Sequence, residues 1–332
     1  MPTLRADPRH PDPEIIRRAA AVLRRGGLVA FPTETVYGLG AHAMDPAAVA
    51  GIFAAKGRPS YNPLIVHLAD AADAPRLAAE WSDAAARLAA RFWPGPLTLV
   101  VPKAPEVPDA VTAGLPSVAL RVPAHPVAHA LLREAGIPVA APSANRSTEV
   151  SPTTAAHVER SLGDRVELIL DGGPTSVGIE STVVSLTGAV PAVLRPGTIS
   201  VDELRATVGE VAAPSAAPDG RAARPSPGML DRHYAPRAEL RVFDPEDFHD
   251  RDDAAVPRRG ERTAVLLYRT RSHPPGDVVR MPDDPAGYAA RLYATLHRLD
   301  DEGYARIWVE RVPDTSAWDG VRDRLRRAAH RG

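Results

Sequence analysis

At 332 residues the chain exceeds what one hydrophobic core usually serves, so two domains are expected. Its 44% apolar and 24% charged composition excludes a disordered chain, and no apolar run nears the roughly 18 residues of a membrane span. A formal net charge of −1 and the absence of cysteine exclude a uniformly basic nucleic-acid binder, disulfides, thiolate metal sites and cysteine nucleophiles.

In chain order, residues 1–14 carry no apolar core of the signal-peptide kind, and a cytoplasmic, membrane-free protein is expected. Residues 13–25 place Ile15, Ile16, Ala19, Val22 and Leu23 on one face, which predicts a helix stopped by Gly26-Gly27. LVAF (28–31) predicts a short strand running into a polar turn, PTETVYG (32–38). Residues 45–58 predict a helix capped by Asp45, with proline at its first position. Strands are predicted at 63–69, 97–101 and 118–122, then a helix at 126–136 that ends in glycine. A strand at 137–145 leads into a turn, and strands at 166–173, 181–186 and 191–197 follow. The proline-, alanine- and serine-rich stretch 211–228 predicts an extended linker. Beyond it, strands at 238–243, 263–269, 277–281 and 305–312, with helices at 285–302 and 316–329, predict a smaller α/β domain. The division expected is 1–210, a linker or lid over 211–237, and 238–332.

Neither a G-x-x-x-x-G-K-[ST] loop nor a complete dinucleotide fingerprint is present, since GLGAHA (38–43) lacks the third glycine. A nucleotide would have to be held by scattered cations and hydroxyls. KGRPSYNPLIVH (56–67) offers Lys56, Arg58, Asn62 and His67 within twelve residues. Lys56 is one of only two lysines, the other being Lys103, against 38 arginines. Hydroxyl-rich turns follow strands at Thr33, Thr35 and Tyr37 and at Ser143, Asn145 and Ser147, and Ser181 and Thr182 stand at the start of a third strand. Taken singly, such residues are turn formers; together they suit an oxygen-rich anionic ligand. Arg121 and Arg195 interrupt apolar strands, and a buried guanidinium needs a partner. That partner is either an acidic side chain or a ligand carboxylate or phosphate held bidentately. His125 and His129 have a metal-capable i, i+4 spacing, but no carboxylate or thiolate motif accompanies them and His125 sits where a helix cap would. No side-chain metal site is therefore expected. SPGMLDRHYAP (226–236) carries Met229, His233 and Tyr234, more chemistry than a spacer needs.

These segments resemble the threonylcarbamoyl-AMP synthases in their two-domain form, with a YrdC-like domain, a linker and a C-terminal domain. The carriers are FPTETVYGLG (31–40), the K-x-R pair of KGRPSYNPL (56–64), FWPGPLTLV (92–100), the S-x-N pair of APSAN (141–145), STVV (181–184), LRPG (194–197) and HYAP (233–236). The resemblance implies an open, twisted, mixed α/β sheet with a concave basic face, and a smaller Rossmann-like α/β second domain. It implies that L-threonine, bicarbonate or CO2, and ATP give threonylcarbamoyl-AMP and pyrophosphate, with Mg2+ on the triphosphate. A partner transferase then moves the threonylcarbamoyl group to adenosine in tRNA. Carried over by position, the threonine pocket falls on Thr35, His67, Arg121 and Ser181. The ATP side falls on Lys56, Arg58, Asn62, Ser117, Ala141, Ser143, Asn145, Ser151, Arg195 and Tyr234. Lys56 and Arg58 are the expected catalytic residues, and with Arg195 and a metal ion they are the expected charge neutralisers. Ser117 stands where the family more often has threonine, which keeps the hydroxyl. Two rival readings remain open on sequence: a carbamoyl-adenylate-forming carbamoyltransferase, and a non-catalytic module that binds tRNA or double-stranded RNA.

Overall fold

Ten strands from the first 195 residues pair into one mixed sheet in the computed structural model, which describes residues 2–213, 233–244, 261–270 and 276–330. They are β1 (Thr3–Arg5), β2 (Val29–Pro32), β3 (Tyr37–His42), β4 (Ile65–His67), β5 (Leu97–Pro102), β6 (Ser117–Arg121), β7 (Val139–Ala140), β8 (Leu168–Asp171), β9 (Thr182–Ser185) and β10 (Ala192–Arg195). Their order across the sheet is β1-β8-β2-β3-β7-β4-β6-β5-β9-β10. Helices α1 (Pro13–Arg24), α2 (Pro46–Lys56), α3 (Asp83–Phe92), α4 (Asp109–Thr112), α5 (Pro126–Ala135), α6 (Ala155–Leu162) and α7 (Val201–Val208) accompany them.

The caps foreseen in the sequence form. Asp45 accepts from the Ala47 amide at 2.9 Å, and α2 ends at Gly57, whose φ of +59° is the left-handed value glycine tolerates. His125 is indeed a cap, accepting from the Val127 amide at 3.2 Å. Helix α1 buries Ile16, Ala19, Ala20, Val22 and Leu23 in a cluster with residues of α5 and β2.

One expectation fails instructively. The stretch 32–38 is a turn only as far as Val36; Tyr37 opens the six-residue strand β3, whose glycines disguise it. Those glycines are steric: a Cβ on Gly40 would lie 2.8 Å from the Phe31 ring and 3.0 Å from Val139. Helices α3, α6 and α7 were not foreseen either, although α7 carries a complete capping box between Ser200 and Glu203.

A second, wholly parallel sheet contains β11 (Glu239–Phe243), β12 (Thr263–Leu267), β13 (Asp277–Arg280) and β14 (Arg306–Glu310) in the order β11-β14-β12-β13, with α8 (Pro285–Asp301) and α9 (Asp319–Ala329) packed beside it. Its core reaches into the first body: Val36, Val150 and Ile179 cluster with Tyr288, Leu292 and Tyr293. Most of the expected linker, including Met229, lies outside the described residues. Among the described residues, no helix is long and apolar enough to cross a membrane.

Candidate functional site

The register of the large sheet collects the polar residues at one end of its strands. His67 and Arg121 end β4 and β6 and are parallel register partners, while Arg195 ends β10 beside Val183 of β9. The turn between β2 and β3 reaches the same place. Thr33 Oγ1 donates to the Val36 carbonyl at 2.6 Å and lies 2.8 Å from Thr35 Oγ1. The carbonyls of Glu34 and Thr35 accept from the amides of Val177 and Gly178, which ties this turn to the segment leading into Ser181.

These elements enclose a cavity lined by Thr35, Arg58, His67, Arg121, Ala141, Ser143, Glu180, Ser181, Arg195, His233 and Tyr234, among others. It holds about 520 Å³ of atom-free space, part of it open to solvent. Its lining carries three guanidiniums, with Glu180 as its carboxylate.

Each guanidinium is anchored by the protein. Arg121 donates from Nη2 to Glu34 Oε1 at 2.7 Å and from Nε to the Gly95 carbonyl at 3.2 Å. The sequence left open an acidic partner or a ligand for Arg121; Glu34 is the acidic partner, and it also accepts from the Ala124 amide. Arg58 clamps its own turn, donating from Nε to the Asn62 carbonyl and from Nη2 to the Pro63 carbonyl. In both arginines two nitrogens fix the fork against backbone or carboxylate. Arg195 donates to the Ser181 carbonyl at 3.0 Å and to Ser181 Oγ at 3.1 Å. Ser181 Oγ also lies 2.8 Å from Thr98 Oγ1.

Burial weighs heavily on the titratable groups here. The His67 imidazole is pushed down to about 3 by desolvation and by Arg121, so its ring is neutral at ordinary pH. Burial pushes Arg58 down to about 10, and His233 falls well below its usual value through burial and the nearby Arg58, Lys56 and Arg195. Glu180 is held below the ordinary carboxylate range: burial opposes ionisation, but Arg324 and Arg195 outweigh it.

Not every expected residue faces the cavity. Lys56 is 2% exposed and its Nζ donates to the carbonyls of Ser143 and Asn145. It is a peg between α2 and the S-x-N turn rather than a free cation over the cavity, and the Ser147 amide returns a bond to its carbonyl at 2.9 Å. Ser151 Oγ donates to Glu180 Oε1 at 2.5 Å and stands behind the wall. Ser117 opens β6 four residues before Arg121, roughly 13 Å along the strand on the same face, outside the lining.

Several buried polar atoms have no protein partner. They include Asn62 Oδ1 and Nδ2, Asn145 Oδ1, His233 Nδ1 and Tyr234 OH, all on or beside the expected nucleotide side. A buried polar atom without a partner costs about 1–3 kcal/mol, so such a group invites a ligand. Tyr234 is also held at φ +60°, a region that tyrosine rarely adopts.

Sequence reasoning missed two groups that organise this site. Glu34 lies inside the PTET turn and Glu180 directly before Ser181; the signal was a lone carboxylate in each hydroxyl-rich turn. Among the described residues no group of three His, Asp or Glu side chains could hold a metal ion.

This is an α/β protein of the YrdC-like class, with an arginine- and hydroxyl-lined cavity at one end of its sheet strands and a second parallel-sheet body beside it. A family model described as telomere recombination matches residues 21–197, and one described as the threonylcarbamoyl-AMP synthase C-terminal domain matches residues 199–330. The threonylcarbamoyl-AMP synthase of Pyrococcus abyssi is 43% identical over 95% of this chain and 94% of its own. That of Bacillus subtilis is 43% identical over 96% and 93%. The crystal structure of P. abyssi Sua5 complexed with L-threonine matches with a TM-score of 0.89 at 40% identity, covering 99% of this chain and 98% of that one. The chain belongs to the threonylcarbamoyl-AMP synthase family.

Proposed function

We propose that this chain joins L-threonine, bicarbonate and ATP into threonylcarbamoyl-AMP and pyrophosphate, with one end of the cavity for the amino acid and the other for the nucleotide. The observation that carries the reading is convergence: Thr35, His67, Arg121 and Ser181 share a cavity with Arg58, Ser143, Arg195 and Tyr234, although they lie far apart in sequence.

At the amino-acid end, Arg121 is pre-set by Glu34 to offer its remaining nitrogen to the threonine carboxylate. Neutral His67 and the hydroxyls of Thr35 and Ser181 read the hydroxyl and amine. As the amine nitrogen bonds to the bicarbonate carbon, the bicarbonate hydroxyl leaves as water with a proton from the amine, giving a carbamate. A carbamate oxygen then forms a bond to the α-phosphorus while the bond to pyrophosphate breaks. Both partners are anionic, so positioning and charge neutralisation supply most of the acceleration.

Arg58 and Arg195 are the neutralisers in this arrangement, and Asn62, Asn145 and Tyr234 give their unpartnered atoms to the nucleotide. Lys56 acts by holding the turn that bears Ser143 and Asn145. Among the described residues the cavity carboxylates do not build a Mg2+ site: Glu34 and Glu180 are committed to Arg121 and Arg324. Such an ion would travel with the triphosphate, and no step here is routed through it. On this reading the product feeds a downstream transferase that acts on tRNA in the cytoplasm.

Purified protein incubated with ATP, bicarbonate and labelled threonine should release pyrophosphate and yield a labelled adenylate. Turnover with carbamoyl phosphate but none with threonine would overturn this reading. Salt-sensitive RNA binding without turnover would point to the non-catalytic module instead.

A further inference from the structure

Arg324 of α9 belongs to the second body, yet it is the largest fully buried side chain among the described residues and each of its nitrogens donates to the first. Nε donates to Glu180 Oε2 at 2.8 Å, and Nη2 donates to the Glu180 carbonyl at 3.2 Å. Nη1 donates to the Pro196 carbonyl at 2.8 Å and to Asp323 Oδ2 at 2.9 Å. The guanidinium carbon also stands 5.1 Å from the centre of the Tyr234 ring. Glu180 is the residue before Ser181, and Pro196 is the residue after Arg195. One side chain therefore grips the immediate neighbours of a threonine-side and a nucleotide-side residue, together with the face of a third cavity residue.

Surrounding contacts tighten this grip. Glu180 accepts from Ser151 Oγ at 2.5 Å and from Tyr293 OH, on α8, at 3.0 Å. At the N-terminal end of α9, a Cβ on Gly320 would come within 2.4 Å of the Gly197 carbonyl, so the helix lies directly on the LRPG segment. Asp323 holds the helix side of the arginine and is itself bonded by Arg326 and Arg327. A buried arginine with this many acceptors fixes backbone in a way that a lysine cannot reproduce, because its planar fork reaches several oxygens at once.

We propose that Arg324 is a positioning residue for the reaction, and that the second body completes the cavity by locking the segments bearing Ser181 and Arg195 through it. The inference rests on the function proposed above. It predicts that loss of the fork degrades both threonine and ATP recognition without removing any group that touches either substrate.

The test uses the full chain. Arg324→Met removes the charge and leaves Glu180 unpaired. Arg324→Lys keeps the charge but cannot reach the Glu180 and Pro196 carbonyls together, and it carries the test if the methionine variant fails to fold. Arg160→Ala is the control, since it breaks the Arg160–Asp301 ion pair between the same two bodies without touching the cavity. The expected result for Arg324→Lys is a rise of about tenfold in KM for both threonine and ATP, with cooperative melting retained, while Arg160→Ala leaves both constants unchanged. Kinetic constants within about twofold of the parent in a folded Arg324 variant would overturn the proposal, as would the same KM rise in Arg160→Ala. Calorimetric titration of threonine and of ATP into each variant reads positioning without turnover. Unaltered binding sinks the inference even if the parent makes a different product, whereas a parent inactive with threonine sinks only the activity.

Discussion

At the scale of single residues, the cavity is governed by what its charged groups are already bound to. Arg121 shows the consequence. Arg121→Ala would leave Glu34 buried and unpaired, a loss of about 3–5 kcal/mol that would be read as lost activity whatever the arginine does. Arg121→Lys keeps the charge while giving up the two-nitrogen anchorage. It should raise KM for threonine about tenfold or more and change KM for ATP by less than about threefold, in steady-state assays varying one substrate at a time. A parallel rise in both constants would remove Arg121 from the threonine end. Tyr234 offers a sharper separation of structure from ligand. Its hydroxyl is buried with no protein partner, so Tyr234→Phe removes an unsatisfied group and keeps the ring's contacts with Arg324 and Tyr293. Melting should be unchanged or slightly higher, while KM for ATP rises several-fold. An unaltered ATP requirement would make the hydroxyl idle.

At the scale of elements, the sequence was most legible where a local rule and the tertiary fold agreed. Helix α2 announced itself by Asp45 and Pro46, and His67 and Arg121 stood out as the lone polar residues of apolar strands. Residues that act through contacts with distant segments were illegible. Nothing in KGRP distinguishes Arg58, which faces the cavity, from Lys56, which turns back to the carbonyls of Ser143 and Asn145. Glu34 was passed over because its partner Arg121 is 87 positions away. Strand β3 was hidden for a related reason, since YGLGAH lacks the β-branched residues that usually mark a strand. Its glycines answer to neighbours that only the sheet supplies. Gly40→Ala tests this: the new methyl meets the Phe31 ring and Val139, and overpacking of this kind costs about 1–3 kcal/mol in denaturant unfolding. Full stability in that variant would mean that β3 has slack beside Phe31, and its glycines would need another explanation.

At the scale of the molecule, the two bodies meet through the Arg324–Glu180 and Arg160–Asp301 ion pairs and also through a neutral, half-buried histidine pair, which makes their union sensitive to acid. His157 of α6 stacks on His297 of α8 with ring centres 3.8 Å apart. His297 Nε2 lies 3.0 Å from the Ser151 carbonyl, which places this pair directly behind the Ser151–Glu180 bond. Burial, the neighbouring His297 and Arg160 push His157 from its ordinary 6.5 down to about 3; burial also lowers His297, against the opposing pull of Ser151, Asp300 and Asp301. In the cavity His67 is lowered to about 3 as well. Each of these imidazoles is neutral in the folded protein and protonated more readily when unfolded. Their contribution is therefore complete above pH 6.5, the ordinary value, and is lost as pH falls below it; for His157 and His67 the loss extends toward folded values of about 3. A single fully shielded histidine contributes a slope of about 1.4 kcal/mol per pH unit in that window; His157, being partly exposed, contributes less. The measurable outcome is a melting temperature that is flat near neutrality and declines steadily between about pH 6 and pH 4. His157→Phe keeps a ring against His297 and cannot be protonated, so it should make that decline shallower. A slope identical to the parent's would place the acid sensitivity elsewhere, with His67 the next group to test.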